Sequence, residues 1–340
     1  MKNESRKILI LTTGGTIASS QTGQGLAPTL TPEELLECLP KLNGNITTDT
    51  LEICSIDSTD MTYRQWLKIA DAIEKNYGDY DGFVISHGTD TMAYTAAALS
   101  YLIQNSEKPI VLTGAQKPIK SDITDAKTNM TDSLIYAADE KSRGVCIVFD
   151  GQVIAGTRAK KTKSFSYHAF SSINFPELAV IQDRQVIRYI EPFPYTGNVR
   201  FYHSLNPKVF LLKLTPGMEP FVLEPIFSIY DCIIVESFGV GGIPESLMEE
   251  FCRQLEKYKA GEKIVIMTTQ VTYEGSRLGL YEVGSRFRDR FRFLEACDMT
   301  LEAAFAKIMW IMGMGNPDWD TIEKMFYDRT EYDIYRLVKK

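Results

Sequence analysis

Residues 83–102, which read FVISHGTDTMAYTAAALSYL, decide the fold of this chain. The apolar run at 83–86 is typical of a buried strand, and apolar residues continue at helical spacing from 91 to 104. Polar residues and a glycine separate the two, and Thr91 is placed to cap the helix. A buried strand that leads through a polar turn into a helix indicates a parallel α/β sheet.

The same alternation extends along the chain in both directions. Short apolar runs predict further buried parallel strands at 8–11, 110–113, 145–149, 209–214, 232–235 and 264–268. Helical spacing occurs at 60–77, 122–138, 300–314 and 321–327. Thr31-Pro32-Glu33-Glu34 has the N-cap, N1 proline and N3 glutamate of a capped helix. The pattern predicts a doubly wound α/β chain.

A proline-containing stretch at 191–207 follows neither period and predicts a connector between two α/β units. The chain has 340 residues, 44% of them hydrophobic, which is enough for two cores. We therefore predict two doubly wound α/β domains. The larger N-terminal domain, 1–195, carries most of the site, a linker covers 196–208, and the smaller C-terminal domain covers 209–340.

Charge and composition bound the partners. A formal net charge of -7 argues against a broad contact with nucleic-acid phosphates or with an anionic membrane, and favours a small-molecule substrate. The first apolar run, from Ile8, is too short for a secretory signal or a membrane span, so a cytoplasmic location is expected. The six cysteines form no C-x-x-C pair, and the three histidines lie too far apart for a local metal motif.

Four segments place hydroxyl groups and glycines at the ends of predicted strands. They are ILTTGGT up to Thr16, CSIDSTDM around Ser58, VISHGTDT around Thr89 and VLTGAQKP around Ala115. Open α/β sheets bind ligands at the carboxyl ends of their strands. Each segment alone is also typical of a turn or a helix cap, but four of them together favour a binding site.

Two of these segments carry candidate catalytic groups. Gly14 and Gly15 allow a sharp turn close to a ligand, so Thr16 is a candidate nucleophile; the alternative is a turn with a hydrogen-bonded threonine. Next to Thr89, the Asp90 carboxylate can bind an ammonium group; the alternative is a cluster that stabilises the helix N-terminus.

Three motifs resemble the bacterial-type L-asparaginase family, most of all its cytoplasmic type I branch. They are TGGTIA at 13–18, SHGTDTMAYTAAALSY at 86–101 and GTRAKK at 156–161, and the resemblance spans nearly the whole chain in order. It implies a two-domain α/β hydrolase that forms a homodimer or homotetramer with sites at subunit contacts. It also implies that no metal or organic cofactor is used.

The resemblance assigns roles to individual positions. Thr16 matches the family's nucleophilic threonine on a mobile lid, and Thr89, Asp90 and Lys161 match its second threonine, aspartate and lysine. Lys161 can accept a proton only when neutral; if it is charged, it polarises Thr89 and orders water. Without the resemblance, a solvated basic cluster would be the favoured interpretation of Lys161.

The substrate-binding positions follow from the same resemblance. Ser58 and Thr59 match the pair that holds the α-carboxylate and amino end of the substrate, and Ala115 lies where the family uses backbone near the scissile amide. Asparagine is a zwitterion, so hydroxyl and N–H donors at Ser58 would suit its α-carboxylate, and Asp90 would suit its α-ammonium.

The expected activity is hydrolysis of L-asparagine to aspartate and ammonia through a threonine nucleophile and an acyl-enzyme. One alternative is a glutaminase-asparaginase. Another is the ammonia-releasing subunit of a tRNA-dependent amidotransferase, although the residues before Ile8 leave no room for that subunit's extra N-terminal domain. A non-enzymatic alternative is an amino-acid binding protein.

Two departures from the family pattern bear on activation and regulation. Leu26 stands where many members carry a lid tyrosine, so activation of Thr16 needs another group or shifts to the second threonine. At the positions of a regulatory amino-acid site in some members, this chain has Glu236, Lys160 and Val271. A carboxylate at 236 would repel a ligand carboxylate, and we expect simple saturation kinetics.

Overall fold

The computed structural model describes residues 5–22, 25–28, 30–39, 46–195, 197–259, 262–278, 291–315 and 317–335. The chain divides into two compact units, Met1–His203 and Ser204–Lys340. Within the predicted linker at 196–208, Arg200–Phe201 pair antiparallel with Ile103–Gln104 of the first unit. The domain limits taken from the sequence stay a prediction.

The first unit is built on an eight-stranded mixed sheet. Its strands, with the short ones outside the sheet, are β1 (Arg6–Gly14), β2 (Ser19–Thr22), β3 (Gly25–Pro28), β4 (Ile46–Ile56), β5 (Gly82–Ser86), β6 (Ile103–Gln104), β7 (Pro109–Thr113), β8 (Gly144–Phe149), β9 (Gln152–Ala155), β10 (Ala159–Lys161), β11 (Phe170–Ser172), β12 (Ala179–Gln182), β13 (Gln185–Arg188) and β14 (Arg200–Phe201). The sheet order is β13-β12-β9-β8-β7-β5-β1-β4. The pairs from β8 to β4 are parallel, which confirms the predicted strands at 8–11, 83–86, 110–113 and 145–149.

Helices cover both faces of this sheet. They are α1 (Pro32–Glu37), α2 (Tyr63–Asn76), α3 (Met92–Leu102) and α4 (Ala126–Ala138). A Cβ on Gly82 would lie 2.7 Å from the carbonyl oxygen of Ala137 in α4, whereas the ring of the next residue, Phe83, stacks on Tyr77 at the end of α2. Because consecutive strand residues point to opposite faces, α2 and α4 lie on opposite sides, as a doubly wound sheet requires.

The capping box predicted at Thr31 is present. The Thr31 hydroxyl accepts from the Glu34 N–H, and the Glu34 carboxylate accepts from the Thr31 N–H. The three antiparallel strands β9, β12 and β13 were not predicted. They are short, and the β12–β13 turn uses two residues at positive φ, Asp183 and Arg184, without the glycine that usually indicates such a hairpin.

The second unit has a four-stranded parallel sheet with the order β15 (Val209–Lys213), β16 (Cys232–Ser237), β17 (Ile264–Thr269) and β18 (Leu294–Glu295). Its helices are α5 (Leu223–Ile229), α6 (Glu245–Leu255), α7 (Leu301–Met312) and α8 (Trp319–Tyr327). These elements confirm the strands and helices predicted for this half. In the part of the chain that the structure describes, no helix is both long and apolar enough to cross a membrane.

Candidate active site

Three loops at the carboxyl edge of the larger sheet are in direct contact through two glycines. A Cβ on Gly15 would lie 2.4 Å from the backbone nitrogen of Gly88, and a Cβ on Gly88 would lie 2.6 Å from the Cβ of Ser58. Gly15 also has a φ of 78°, which disfavours any other residue. The loops before Thr16, before Thr89 and at Ser58 therefore meet at one place.

Thr91 occupies the N-cap position of α3, as expected, but its side chain joins two of these loops and does not cap the helix. Its hydroxyl donates to the carbonyl oxygen of Ser58 at 2.8 Å and makes no hydrogen bond to the start of the helix. The predicted side-chain cap at Thr91 is therefore wrong, although the helix does begin at the next residue. The hydroxyl links the Ser58 loop to the start of α3, which the local sequence pattern had no means to indicate.

A lysine, a threonine and an aspartate form one hydrogen-bonded cluster beside this contact. Lys161 Nζ donates to Thr89 Oγ1 at 2.7 Å and to Asp90 Oδ1 at 2.6 Å. Thr89 is buried, whereas 59% of the Asp90 side chain is exposed. Lys161 is the last residue of β10, which pairs antiparallel with β11. The cluster thus offers a cation, a hydroxyl and an open carboxylate within one small region.

The Ser58 loop presents two hydroxyls with different capacities. The Asp57 carboxylate accepts from both the N–H and the hydroxyl of Thr59 at 2.8 Å, and these bonds lower the pKa of Asp57. Because its proton is already used, Thr59 Oγ1 can accept but not donate a further hydrogen bond. The Ser58 hydroxyl has no partner among the described residues and can still donate to a ligand.

Two backbone N–H groups at the carboxyl ends of β5 and β7 have no hydrogen-bond acceptor among the described residues. Ala115 is buried after β7, where Asn129 on α4 donates to the preceding carbonyl oxygen of Gly114 at 3.0 Å. Within the described residues, no acceptor takes the N–H of Ala115 or of Thr89. These two N–H groups are therefore available to an oxygen that develops negative charge.

A buried histidine fixes the peptide that leads into Thr89. The Gly88 carbonyl oxygen can only accept, so the proton of His87 lies on Nδ1, which donates to that oxygen at 2.7 Å. In the neutral ring Nε2 then accepts from the Thr95 hydroxyl at 2.9 Å, and Thr95 Oγ1 accepts from the Trp66 indole at 2.9 Å. Burial lowers the pKa of His87 to about 4 and keeps it neutral.

The orientation of this peptide has a direct consequence for the site. In a trans peptide the carbonyl and the N–H point in opposite directions. With the Gly88 oxygen held by His87, the Thr89 N–H is directed away from the histidine. The sequence singled out neither Trp66 nor Thr95, because their contacts with His87 exist only in the folded chain.

The Thr16 loop has fewer side-chain hydrogen bonds than the Thr89 loop among the described residues. Thr16 is half-buried, begins a short 3-10 turn after Gly15, and has no side-chain hydrogen bond among the described residues. Gly25–Pro28 pair antiparallel with Ser19–Thr22, but the predicted consequence of the Leu26 side chain lies outside what the structure describes. Within the described segments, therefore, no base is hydrogen-bonded to the Thr16 hydroxyl.

Among the residues that the structure describes, no group of three or more histidine, cysteine, aspartate or glutamate side chains is arranged to hold a metal ion.

Comparisons with known proteins cover both halves of the chain. Residues 7–193 match the family model "Asparaginase, N-terminal", and residues 208–326 match "Glutaminase/Asparaginase C-terminal domain". An L-asparaginase of Thermococcus kodakarensis is 37% identical over 311 residues, covering 90% of this chain and 93% of that protein. The solved structure of the thermostable L-asparaginase from Thermococcus kodakarensis superposes with a TM-score of 0.90 at 36% identity, covering 97% of this chain and all of that one.

Two further relatives differ in how much of their own length matches this chain. L-asparaginase 1 of Escherichia coli K12 is 30% identical over 338 residues, covering 94% of this chain and 96% of that protein. A glutamyl-tRNA(Gln) amidotransferase subunit of Pyrococcus abyssi is 32% identical over 323 residues, covering 90% of this chain but only 72% of that protein. The similarity to the asparaginases of Thermococcus kodakarensis and Escherichia coli thus extends over nearly the full length of both proteins.

Proposed function

This chain belongs to the asparaginase family, and on that premise we propose that it hydrolyses L-asparagine to L-aspartate and ammonia. The observation that carries the proposal is the Lys161, Thr89 and Asp90 cluster, which adjoins the contact of Gly15, Gly88 and Ser58. The cluster combines a carboxylate that can bind the ammonium group of a zwitterionic amide with a hydroxyl and a cation that can assist acyl transfer.

The proposed substrate binding follows from the charges of these loops and from the hydrogen-bond donors and acceptors that they leave unused. The exposed carboxylate of Asp90 binds the α-ammonium, and Thr59 Oγ1 accepts a further hydrogen bond from it. Ser58, whose hydroxyl is still able to donate, binds the α-carboxylate. The side-chain amide then points towards the edge where the N–H groups of Thr89 and Ala115 lie.

Thr16 acts as the nucleophile in this proposal. Its hydroxyl oxygen attacks the amide carbon, and the N–H groups of Thr89 and Ala115 stabilise the oxyanion. The C–N bond breaks, the nitrogen takes the hydroxyl proton and leaves as ammonia, and an aspartyl ester forms on Thr16. Water then cleaves the ester, releasing aspartate and restoring the hydroxyl.

Lys161 and Thr89 assist both steps. As a hydrogen-bond donor to Thr89 and Asp90, Lys161 holds the two side chains in place and adds positive charge beside the developing oxyanion. Thr89 orders the water that attacks the ester. No metal or organic cofactor enters the proposed reaction.

The decisive assay is ammonia release from L-asparagine and L-glutamine by the parent, Thr16→Ala and Thr89→Val proteins. We expect the parent to turn over asparagine and each variant to lose at least about 10³-fold in kcat. Thr128→Ala and Thr128→Val, at an exposed position of α4, serve as matched controls. If the parent turned over neither amide, the proposed enzymatic function would be rejected, and an amino-acid binding protein would remain as the interpretation.

The glutamine arm addresses the second candidate, which the similarity to the amidotransferase subunit supports. One methylene in a pocket gives only about 1–3 kcal/mol of discrimination, so some glutamine turnover is compatible with an asparaginase. Preference for glutamine by more than tenfold in kcat/KM would favour a glutaminase or an ammonia-releasing subunit.

We also propose that the protein is cytoplasmic and forms a homodimer or homotetramer. Ile123 and Phe165 support assembly, because they are apolar and expose 79% and 92% of their surface on loops near the site. Light scattering after size exclusion tests this: a monomer at all concentrations would reject it.

A further inference from the structure

Gln116, next to Ala115, links Thr89 to the loop that follows Lys161. Its amide nitrogen lies 3.1 Å from the carbonyl oxygens of Ser164 and Ser166, and its amide oxygen lies 3.4 Å from Thr89 Oγ1. Carbonyl oxygens only accept, so the nitrogen must face Ser164 and Ser166. The amide oxygen therefore faces Thr89.

This arrangement settles the direction of the Thr89 hydroxyl proton. Lys161 Nζ donates to Thr89 Oγ1, so that contact occupies a lone pair and not the proton. An amide oxygen can only accept, which leaves Thr89 Oγ1–H as the donor to Gln116. The proton thus points to Gln116, and the remaining lone pair of Thr89 is open to water or substrate.

Gln116 is itself firmly held. Its N–H donates to the carboxylate of Asp125, which is 7% exposed, and the N–H of Lys117 donates to the same carboxylate. Asn129 on α4 donates to Asp125 as well. The backbone at Gln116 is therefore anchored to the start of α4, so its side chain has a fixed base from which to reach the loop.

We infer that Gln116 is a positioning residue for the proposed reaction: it directs the Thr89 hydroxyl and holds residues 162–169, the loop between β10 and β11, which directly follows Lys161. Ser164 and Ser166 flank Phe165, so the two hydrogen bonds hold the loop on both sides of its exposed ring. The inference rests on the proposed function for its catalytic half only.

Two variants separate the two contacts. Gln116→Met has similar length but removes both the acceptor for Thr89 and the donors to the loop. Gln116→Glu keeps an acceptor oxygen for Thr89 and loses the donors, since a carboxylate only accepts. Gln185→Met, at an exposed position of β13, is the matched control.

The first readout is steady-state kinetics with asparagine. We expect Gln116→Met to lower kcat about tenfold relative to Gln185→Met with KM changed less than about twofold, because Gln116 contacts none of the groups that bind the two ends of the substrate. Gln116→Glu should retain more of kcat. An unchanged kcat, or a loss confined to KM, would overturn the catalytic half.

The second readout is chymotrypsin cleavage after Phe165, which needs no turnover. Loss of two hydrogen bonds should speed cleavage about tenfold in both Gln116 variants at an unchanged melting temperature. Cleavage at the rate of Gln185→Met would overturn the loop half. If the parent releases no ammonia, the proposed function and the catalytic half fail together, and the cleavage rates still decide whether Gln116 holds the loop.

Discussion

The two threonine loops of the site differ in how much structure supports each hydroxyl. Thr89 receives a hydrogen bond from Lys161, donates to Gln116, and follows a peptide that the buried His87 orients. Thr16 has no comparable partner among the described residues, and the residue before it, Gly15, closely approaches Gly88. One hydroxyl is held in a fixed network, whereas the other is free to approach a substrate.

This difference suggests a division of labour. A nucleophile must move from its resting position to bond with the substrate carbon, whereas a group that orders water or stabilises charge works best when it is held still. The freer Thr16 suits the first task and the fixed Thr89 the second. Single substitutions and changes of pH can alter one side of this comparison at a time.

The largest effect is expected from Lys161→Met, which removes the cation but keeps an unbranched side chain. We expect kcat to fall about 10³-fold, because Thr89 and Asp90 lose their common donor. The melting temperature should stay nearly constant, since Asp90 is largely exposed and is not left as a buried unpaired charge. Activity within tenfold of the parent would show that the cluster is not needed.

Gly15→Ala breaks the contact between the two loops. The new Cβ would meet the Gly88 backbone in a conformation that already disfavours side chains, so we expect a loss of about 2–4 kcal/mol in the free energy of unfolding, together with a large loss of activity. Gly78→Ala, where a Cβ would meet nothing within 4 Å, is the control and should be near neutral. Equal stability of the two variants would refute the close approach.

Lowering the pH should reduce the free energy of unfolding through His87, the residue that orients the peptide before Thr89. The pKa of His87 is about 4 in the folded chain and 6.5 when unperturbed, so the unfolded state binds the proton first as pH falls. Stability is then lost between pH 6.5 and 4, by about 3 kcal/mol in total. Urea unfolding of the parent and of His87→Gln at pH 7 and 4.5 measures this; a loss of equal size in both proteins would assign it elsewhere.

The smallest effect is expected at Asp132 on α4, the helix whose start holds Gln116. Asp132 is buried without a hydrogen-bond or ion-pair partner among the described residues, and burial raises its pKa to about 6. The folded state therefore loses stability as pH rises from about 4 to 6. Asp132→Asn should stabilise the protein by about 1–2 kcal/mol at pH 7.5 and hardly at pH 4. The same gain at both pH values would exclude the carboxylate as its cause.

Much of the scaffold could be predicted from local sequence patterns. The five parallel strands of the larger sheet show as apolar runs or end in the polar motifs that mark the site, and the Thr31 capping box is visible in four residues. The short antiparallel strands β9, β12 and β13 carry no long apolar run and were missed. The β12–β13 turn has no glycine, whereas the β8–β9 hairpin turns at Asp150-Gly151, both at positive φ, and this hairpin signal was overlooked.

The hydrogen-bond network of the site could not be predicted in the same way. Lys161 lies 72 residues after Thr89, and without the resemblance its side chain is one of several basic groups in a cluster. Gln116 and Thr95 act through contacts that join separate loops and helices, so no local spacing reveals them. Thr91 illustrates the limit, since a position that suited a helix cap was used to bind the Ser58 loop.

The most direct test of the division of labour is to find which threonine carries the acyl group. Protein mixed with L-asparagine is quenched in acid during the first turnovers, digested, and analysed by mass spectrometry. We predict an added mass of one aspartyl group on the peptide that contains Thr16. The same mass on the peptide that contains Thr89, with none on Thr16, would contradict the division of labour.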